Sequence, residues 1–585
     1  MRIPYQRRPL LKRKSISNFR GLDRRVGVGE NVFRNMTNMS GREPNCISSR
    51  HPRGKLELSA KEINSFVSTD VKIDGLIREN AFVVEGGDKL WAYYYEGNQL
   101  KRKVLMSTAG FTNEKNQMVA SGGYLYFFPD NKYINLMDLG DKGALGAKAE
   151  LPYGVNDEFL YEIELSSTNE NGTEAVSNSG YLKLVCKKYE NINSQKGEYI
   201  SNFNYTYEFN EGDFVEISGT SCDGIFKIAY ISDMNDYMVL KGYMESDIVQ
   251  SENSVSVIRK IPHMDYVTAS GNRLWGCRYG VNEDGEPVNE IYASKLGDAK
   301  NWYSFEGVST DSYIASIGVD GVFTGAVTYE GDPFFFKEDS VIRIYGTRPS
   351  DFTVVTDNIR GIENGSSRSA VIVDDTLYYK TYNGIVAYNG GMPYNIDEAL
   401  GNEMYRNAVA GSRGGNYYVS MENRNGEYEL FVYDTSSKEW YREDNTKVSA
   451  FCRSGNELYM LIENDDEAQI YSVGGEGDTE GEKSIFWCLE SQDMDYYLAG
   501  RKAATKLEIK LKMSEGAYFK AEVCYDGERK WHKIASENGP LNCITVSLRP
   551  RRCDSFRIRF SGHGDVTLIT MSRYITDNGD ETGGR

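Results

Sequence analysis

The sequence predicts an all-β fold organised as a β-propeller of about six to eight blades, and two observations lead to this prediction. The first is a repeated motif in which a turn is followed by an apolar residue and then an aromatic residue. The second is the spacing of the last copies, at intervals of 43, 40 and 41 residues, which is typical of four-stranded blades. The motif occurs seven times, with its aromatic residue at Trp91, Tyr126, Trp275, Phe335, Tyr378, Tyr418 and Tyr459.

One interval between copies of the motif is too long for a single blade. Tyr126 and Trp275 are 149 residues apart, whereas a blade takes roughly 40–50 residues. The segment between them therefore includes an insertion of about 100 residues. Within residues 156–262 apolar residues alternate with polar ones, as at Tyr161, Ile163 and Leu165. This alternation predicts a small β-barrel or sandwich inserted into the propeller.

The remaining segments follow from local patterns. Period-two alternation around Leu507–Leu511 and Phe556–Phe560 predicts a C-terminal β-sandwich. Apolar residues at helical spacing between Asn395 and Gly411 predict one short helix. The N-terminal lead-in is a candidate for a strand that closes the propeller ring. The predicted organisation is a basic N-terminal arm and lead-in at 1–55, the first part of the propeller at 56–155, the inserted β domain at 156–262, the second part of the propeller at 263–475, the C-terminal β-sandwich at 484–576, and a flexible tail at 577–585.

Charge is distributed unevenly along the chain. The net charge is −18, yet residues 1–25 hold nine Lys or Arg against one Asp, so this arm carries +8 and the remainder −26. A basic arm on an acidic body can dock on a neighbouring acidic subunit or on nucleic acid, and it can equally be a solvated tail. The acidic body itself is predicted to bind nucleic acid poorly, because phosphate contacts need a basic surface.

Several classes of function are disfavoured by the sequence. It has no apolar run of about 18 residues that would span a membrane, and its N-terminus lacks the apolar core of a secretion signal. The nine cysteines include no Cys-x-x-Cys pair, which favours reduced thiols made in a cytosol. His563 lies between two glycines and is interpreted as a surface-turn histidine rather than a base. We therefore predict no catalytic, cofactor-binding or metal-binding residue, and no enzymatic activity.

Three stretches resemble bacteriophage tail β-propeller proteins, the family that includes tail nozzle, tail tubular and stabilisation proteins. The first is Arg50-His51-Pro52-Arg53-Gly54. The second runs from Asn272-Arg273-Leu274-Trp275 to Trp302, and its end, Ser294–Trp302, departs from the Asp-box turn of sialidases because Gly297 precedes Asp298. The third runs from Arg549 to Ile558. The motifs are short and tolerant, but they occur in the family's order over most of the chain.

The resemblance implies a structural virion protein that forms a ring, with a hexamer as the expected number of copies. Such a ring lies in the tail below the portal and adaptor, and genomic DNA is retained by it and passes through without sequence-specific binding. The protein would be made in the bacterial host cytoplasm. The alternative is an extracellular carbohydrate-binding or glycoside-hydrolysing propeller, which predicts a secretion signal and a convergent acidic or arginine-rich pocket.

Overall fold

The computed structural model describes residues 10–56, 65–68, 82–86, 88–96, 99–109, 111, 117–156, 158–204, 208–282, 285–464, 467–475, 482, 484–494, 503–548 and 551–577. Within these ranges the chain is all-β, as predicted. Apart from strands it forms two short 3-10 turns, Ser367–Ser369 and Glu398–Leu400. The chain divides into two compact units, one made of residues 1–70, 78–104 and 359–585 and the other of residues 71–77 and 105–358.

Five short strands and two four-stranded sheets come first in the chain. The five strands are β1 (Leu10–Ile16), β2 (Phe33–Thr37), β3 (Met39–Ser40), β4 (Ile47–Ser49) and β5 (Gly54–Lys55). The first sheet contains β6 (Ser65–Ser68), β7 (Phe82–Gly86), β8 (Lys89–Glu96) and β9 (Gln99–Ser107). The second contains β10 (Gln117–Ser121), β11 (Tyr124–Phe128), β12 (Lys132–Asn135) and β13 (Lys142–Ala144).

The inserted domain is one ten-stranded sheet with its own core. Its strands are β14 (Ala147–Leu151), β15 (Gly154–Val155), β16 (Phe159–Ser167), β17 (Tyr181–Ile192), β18 (Gln195–Asn202), β19 (Phe214–Ser218), β20 (Gly224–Ile231), β21 (Tyr237–Lys241), β22 (Ile248–Gln250) and β23 (Val255–Arg259). The strand order is β14-β23-β19-β20-β21-β17-β16-β15, with β18 on β17 and β22 on β16. The chain passes directly from β22, beside β16 at one end of this order, to β23 near the other end, so the sheet curves back on itself like a barrel. Its first strand precedes the predicted start at residue 156, because Ala147, Ala149 and Leu151 point into this core.

Five more four-stranded sheets follow the insertion. The first contains β24 (Tyr266–Ser270), β25 (Arg273–Val281), β26 (Pro287–Ala293) and β27 (Tyr313–Ser316), and the second contains β28 (Gly325–Tyr329), β29 (Asp332–Lys337), β30 (Ser340–Tyr345) and β31 (Thr353–Asp357). The third contains β32 (Val371–Val373), β33 (Thr376–Thr381), β34 (Gly384–Tyr388) and β35 (Tyr394–Asn395), and the fourth contains β36 (Arg406–Arg413), β37 (Asn416–Glu422), β38 (Tyr428–Asp434) and β39 (Glu439–Arg442). The fifth contains β40 (Ala450–Ser454), β41 (Glu457–Asn464) and β42 (Glu467–Ser472), with β5 as its fourth strand.

These seven sheets, counted over the described residues, are the blades of a β-propeller fold. Each is an antiparallel meander, and the first strands of successive blades pack side by side within each unit. Six of the seven motif aromatics lie on the second strand of their blade, whereas Trp91 lies on the third strand, β8. The residue before each aromatic, as at Leu125 and Leu458, is buried between blades. The repeat in the sequence therefore marks the second strand of six blades and the third strand of the first.

The C-terminal β-sandwich is built from both ends of the chain. Its later strands are β43 (Phe486–Ser491), β44 (Ala503–Met513), β45 (Tyr518–Tyr525), β46 (His532–Asn538), β47 (Leu541–Ser547), β48 (Phe556–His563) and β49 (Val566–Asp577). One sheet has the order β3-β4-β49-β44-β47 with β1 also on β49, and the other has the order β2-β43-β48-β45-β46. Leu507, Ile509 and Leu511 are buried between the sheets, as their alternation predicts.

Two local predictions are corrected by these strands. Residues 10–55 are not an arm: β1 to β4 complete the sandwich, and β5 adds the fourth strand to the last blade. The short helix predicted between Asn395 and Gly411 is instead a single 3-10 turn followed by strand β36, because Ala408 and Ala410 alternate towards the core. The predicted tail lies outside the described residues, apart from Asp577 at the end of β49.

Candidate functional site

Arg50 and Arg53, from the first family-like stretch, lie in a buried ion-pair cluster with Glu443, Asp444 and Glu482. We call these five residues the Arg50–Arg53 cluster. The Arg53 guanidinium donates to Glu443 at 2.5 Å and lies 2.8 Å from an Asp444 oxygen. Arg50 donates to Glu482 from both terminal nitrogens, at 2.6 and 2.9 Å. The planar fork of arginine suits such two-pronged bonding to carboxylates, which a lysine would not reproduce.

Burial makes the members of this cluster depend on one another. Arg50 is 7% exposed and Arg53 is 3% exposed. Burial alone would raise the pKa of Asp444 and of Glu482, but the nearby arginines hold both pKa values below their usual range. Glu443 and Asp444 directly follow β39, and Arg53 directly precedes β5. The cluster therefore fixes the start of β5 against the blade formed by β36 to β39.

The second family-like stretch begins at a tight turn and continues into a buried arginine. Gly271 and Asn272 both have positive φ, at 59° and 57°, a conformation that glycine and asparagine tolerate best. Arg273 donates to the carbonyl oxygens of Ser294 at 2.7 Å, Asp311 at 2.5 Å and Ser309 at 3.0 Å. Burial lowers the pKa of this guanidinium. Arg273 thus holds the long connection between β26 and β27 on its own blade.

The end of this stretch attaches the inserted sheet to the propeller blade within the second unit. The Asn301 side chain accepts a hydrogen bond from the Phe214 N–H at 2.7 Å and donates to Asp298 at 2.6 Å. It also donates to Asp213 at 3.3 Å. Asp213 in turn forms a buried ion pair with Arg259. The turn that departs from an Asp-box is therefore a fixed docking point for β19 and β23.

The third family-like stretch, from residue 551 onward, also holds chain segments together; Arg549 and Pro550 lie outside the described residues. The N–H groups of Asp554 and Ser555 both donate to one oxygen of Asp526, at 2.7 and 3.1 Å. Arg557 donates to Glu490 of the neighbouring strand β43 at 2.6 Å. These bonds fix the turn before β48 and the polar face of its sheet.

The described part of the basic arm is engaged within its own chain. Arg20 pairs with Glu439 at 2.8 Å, and Arg24 pairs with Glu429 at 2.9 Å. Lys14 pairs with Glu30 at 2.6 Å. These cations are paired within the chain, and docking of the arm on a neighbouring subunit or on nucleic acid stays a prediction. Arg2, Arg7 and Arg8 lie outside the described residues.

Groups that could perform chemistry were sought among the described residues. No group of three or more His, Cys, Asp or Glu side chains there is arranged to hold a metal ion. The seven first strands of the blades contain neither Asp nor Glu. His563 stacks on Tyr518 with ring centroids 5.6 Å apart, at the exposed end of β48. No described helix is both long and apolar enough to cross a membrane.

Sequence reasoning identified the arginines of these networks but missed their partners. Glu482 is distant in sequence from Arg50, and Asn301 is distant from Phe214. An isolated Glu or Asn in a polar connection carries no local signal of burial. Only the topology, which brings β5 beside the last blade and β19 beside the connection after β26, makes these pairings visible.

Comparison with known proteins finds similarity to solved structures at a low level. No protein-family model and no curated protein sequence matches the chain. Three similar solved structures are an exo-β-1,3-galactanase from Phanerochaete chrysosporium, the endosialidase of phage phi92, and an engineered family 43 glycoside hydrolase with endo-xylanase and exo-arabinofuranosidase activity. Their identities to this chain are 10%, 11% and 11%, and their TM-scores are 0.21, 0.23 and 0.20. The matches cover 53%, 72% and 53% of this chain and 95%, 68% and 97% of the others.

One prediction is corrected by this comparison. The sequence predicts that the chain is not an enzyme, but the structures with a similar fold include glycoside hydrolases. The prediction that this chain has no enzymatic activity, which was drawn from its fold and composition, is therefore wrong. At this level of similarity the neighbours assign no reaction to this chain.

Proposed function

We propose that this chain is a structural virion protein of a bacteriophage, which forms a hexameric ring in the tail nozzle or tail tube. In this proposal the ring contacts the portal, the adaptor and other tail proteins, and it retains and conducts genomic DNA. The protein is made in the cytoplasm of the bacterial host and resides in the virion tail.

One observation carries the proposal. The arginines of the family-like stretches, Arg50, Arg53, Arg273 and Arg557, are all bonded to fixed partners within the chain. They hold a strand, a long connection and a sheet face in place instead of converging on a cleft. A rigid body of this kind suits a ring, in which each copy presents one surface to a different surface of the next.

The test is the mass and shape of the assembled protein. The chain has a mass of 66.1 kDa, and size-exclusion chromatography with light scattering is expected to give a sixfold multiple, alone or with its tail partners. Electron micrographs are expected to show closed six-fold rings, and antibodies against the chain should label the tail of intact virions. A monomer under all these conditions, together with virions that lack the chain, would contradict the proposal.

The second candidate is a carbohydrate-binding or glycoside-hydrolysing propeller, and the polar outer face of the sandwich favours it. A two-carboxylate hydrolase in this fold would have to take its acids from the other blade strands or from blade connections, because the first strands of the described blades supply none. Release of reducing ends from a polysaccharide by purified protein, lost on substitution of a connection carboxylate, would support this candidate over the ring.

A further inference from the structure

We propose that the outer face of the sandwich sheet β2-β43-β48-β45-β46 binds an anionic polysaccharide chain. This sandwich outer face is defined by Phe486, His563, Tyr518, Lys520, Glu522, Glu490, Arg557, Arg559, Lys533 and Trp531. The opposite side of the same strands supplies Ile558, Phe560 and Val523 to the core. The inference is independent of ring formation, because it concerns a ligand and not contacts between copies.

An aromatic row lies at one end of this face. Phe486 and His563 are directly opposite in adjacent strands, and so are His563 and Tyr518. Directly opposite residues of antiparallel strands share a face. Phe486 is 59% exposed, and the Tyr518 and His563 rings stack. The exposed Phe486 and His563 rings and the half-buried Tyr518 ring lie on three neighbouring strands. Aromatic rings of this kind cover the apolar faces of sugar rings well.

A row of charged side chains lies four residues further along the strands, about 13 Å away at the usual strand rise. Glu490, Arg559 and Glu522 are directly opposite one another on β43, β48 and β45. Arg559 and Arg557 share Glu490, at 3.1 and 2.6 Å. The sharing orients both guanidinium groups before any ligand arrives, so less side-chain freedom is lost on binding.

Trp531 lies on this charged row. Its ring centroid is 3.9 Å from the Arg559 guanidinium carbon and 5.6 Å from that of Arg557. Unlike Trp275, Trp302, Trp440 and Trp487, which are buried in the core, it keeps part of its ring in solvent. Stacking on the guanidinium groups holds the indole against the sheet. The face thus has aromatic groups at both ends and hydrogen-bonding groups between them.

Charge selects the class of ligand. Lys533 lies directly opposite Glu522 and shares this face. Arg557, Arg559, Lys520 and Lys533 outweigh Glu490 and Glu522 by two units on a chain whose net charge is −18, while Arg34 and Asp493 at the edge cancel. A modest positive excess among acceptors and donors suits sugars that carry carboxylates beside hydroxyl groups. Nucleic acid carries a phosphate on every nucleotide and its affinity rises with the number of phosphate contacts, which an excess of this size does not supply, so a glycan is the occupant we propose.

The test is calorimetric titration of the full-length protein with three probes: a hexasaccharide of uronic acids, the neutral hexasaccharide cellohexaose, and a short single-stranded DNA. We expect the uronic acid hexasaccharide to bind, more weakly as salt increases. Trp531→Ala should weaken this binding at least tenfold, and Lys520→Gln should weaken it about threefold. Tyr382→Ala is the matched control, since Tyr382 is an exposed aromatic (63%) in the β33–β34 turn, and it should bind like the wild type.

Four results would overturn the proposal: no binding of the uronic acid probe at millimolar concentration, undiminished binding by Trp531→Ala, equal binding of the neutral probe, or tighter binding of DNA. Thermal unfolding of each variant shows whether it is folded. If Trp531→Ala unfolds early, Trp531→Phe together with Lys520→Gln provides the same comparison. Ring assembly is measured on the same samples, so failure of the glycan site and failure of the proposed ring are separate outcomes.

Discussion

Arg53 and Asn301 are buried polar residues with two different roles. Arg53 balances Glu443 and Asp444, whose charges could not be left unpaired at this depth. Asn301 is neutral and supplies both a donor and an acceptor to groups on two segments. In both cases the residue type follows from what must be satisfied around it.

Arg53→Met is expected to lower the free energy of unfolding by about 3–5 kcal/mol, because it removes the guanidinium closest to Glu443 and Asp444 and leaves Arg50 alone against the three carboxylates of the cluster. The matched control is Arg20→Met. Arg20 also pairs with a glutamate, Glu439, but its side chain is 52% exposed, so its loss should cost about 0–1 kcal/mol. Urea unfolding followed by fluorescence measures both. Equal losses in the two variants would show that the Arg50–Arg53 cluster contributes no more than a surface pair.

The same cluster predicts an acid dependence of stability. The pKa values of Asp444 and Glu482 are depressed in the folded protein, so the unfolded chain binds protons at higher pH than the folded one. Their contribution to the free energy of unfolding is complete above the pKa values that these groups have in the unfolded chain, about 4. It is lost as pH falls through their lower pKa values in the folded protein. Unfolding free energies from pH 6 to pH 3 should therefore fall less steeply in Arg53→Met than in the wild type. Parallel curves would contradict the assignment.

Asn301→Ala is expected to cost about 1–3 kcal/mol, since the Phe214 N–H loses its buried acceptor. The effect should be concentrated in the inserted sheet, and hydrogen exchange of amides in β19 and β23 is the measurement that resolves it. Asn253→Ala, at an exposed position in the turn between β22 and β23, is the control. Faster exchange spread evenly over the blades, without a difference in β19, would refute the docking role of Asn301.

At the scale of elements, the blades were predictable, and so was a strand that the N-terminal lead-in adds to the propeller, but the N-terminal strands of the sandwich were not. The turn-plus-aromatic motif is local, so its seven copies could be counted in the sequence and matched to seven sheets. The pairing of β1 with β49 and of β5 with β42 joins residues hundreds of positions apart, and alternation in short strands does not name a partner. The arm was therefore interpreted from its charge, while Phe19 and Leu22 within it belong to the core.

Deletion of residues 1–25 is consequently expected to abolish cooperative unfolding or to give insoluble protein. The deletion removes β1 and leaves its edge of β49 exposed, and it removes the buried Phe19 and Leu22. Deletion of residues 1–9 is the control, because it leaves every described contact intact. If residues 1–25 were a solvated tail, the larger deletion would instead leave the monomer folded. Soluble protein with a wild-type unfolding curve after the larger deletion would restore that view.

At the scale of the whole molecule, the negative charge is concentrated in one domain. Residues 147–259 contain 8 Lys and Arg against 19 Asp and Glu, a net charge of −11 out of −18 for the chain. The first strands of the described blades contain no acidic residue and include Arg406, Arg413 and Arg453. The acidity that a conduit for DNA would use to repel the duplex is therefore supplied by the inserted sheet and by blade connections, and not by the first strands.

This distribution leads to a prediction about DNA. Each Lys or Arg that contacts phosphate releases counterions, and several such contacts make binding tight and strongly salt-dependent. Here the described cations of the N-terminal segment are paired within the chain, as at Arg24 and Glu429, and the net charge repels the duplex over roughly 8–10 Å. We expect the full-length protein to bind duplex DNA with a dissociation constant weaker than about 10⁻⁴ M at physiological salt, measured by fluorescence anisotropy with a short labelled duplex.

Deletion of residues 1–9 removes Arg2, Arg7 and Arg8 and brings the net charge from −18 to −21, so this variant should bind no better. Micromolar binding that disappears in the deletion variant would assign DNA contact to the first nine residues. Micromolar binding that persists in it would require a basic surface on the folded body and would contradict a non-adhesive conduit.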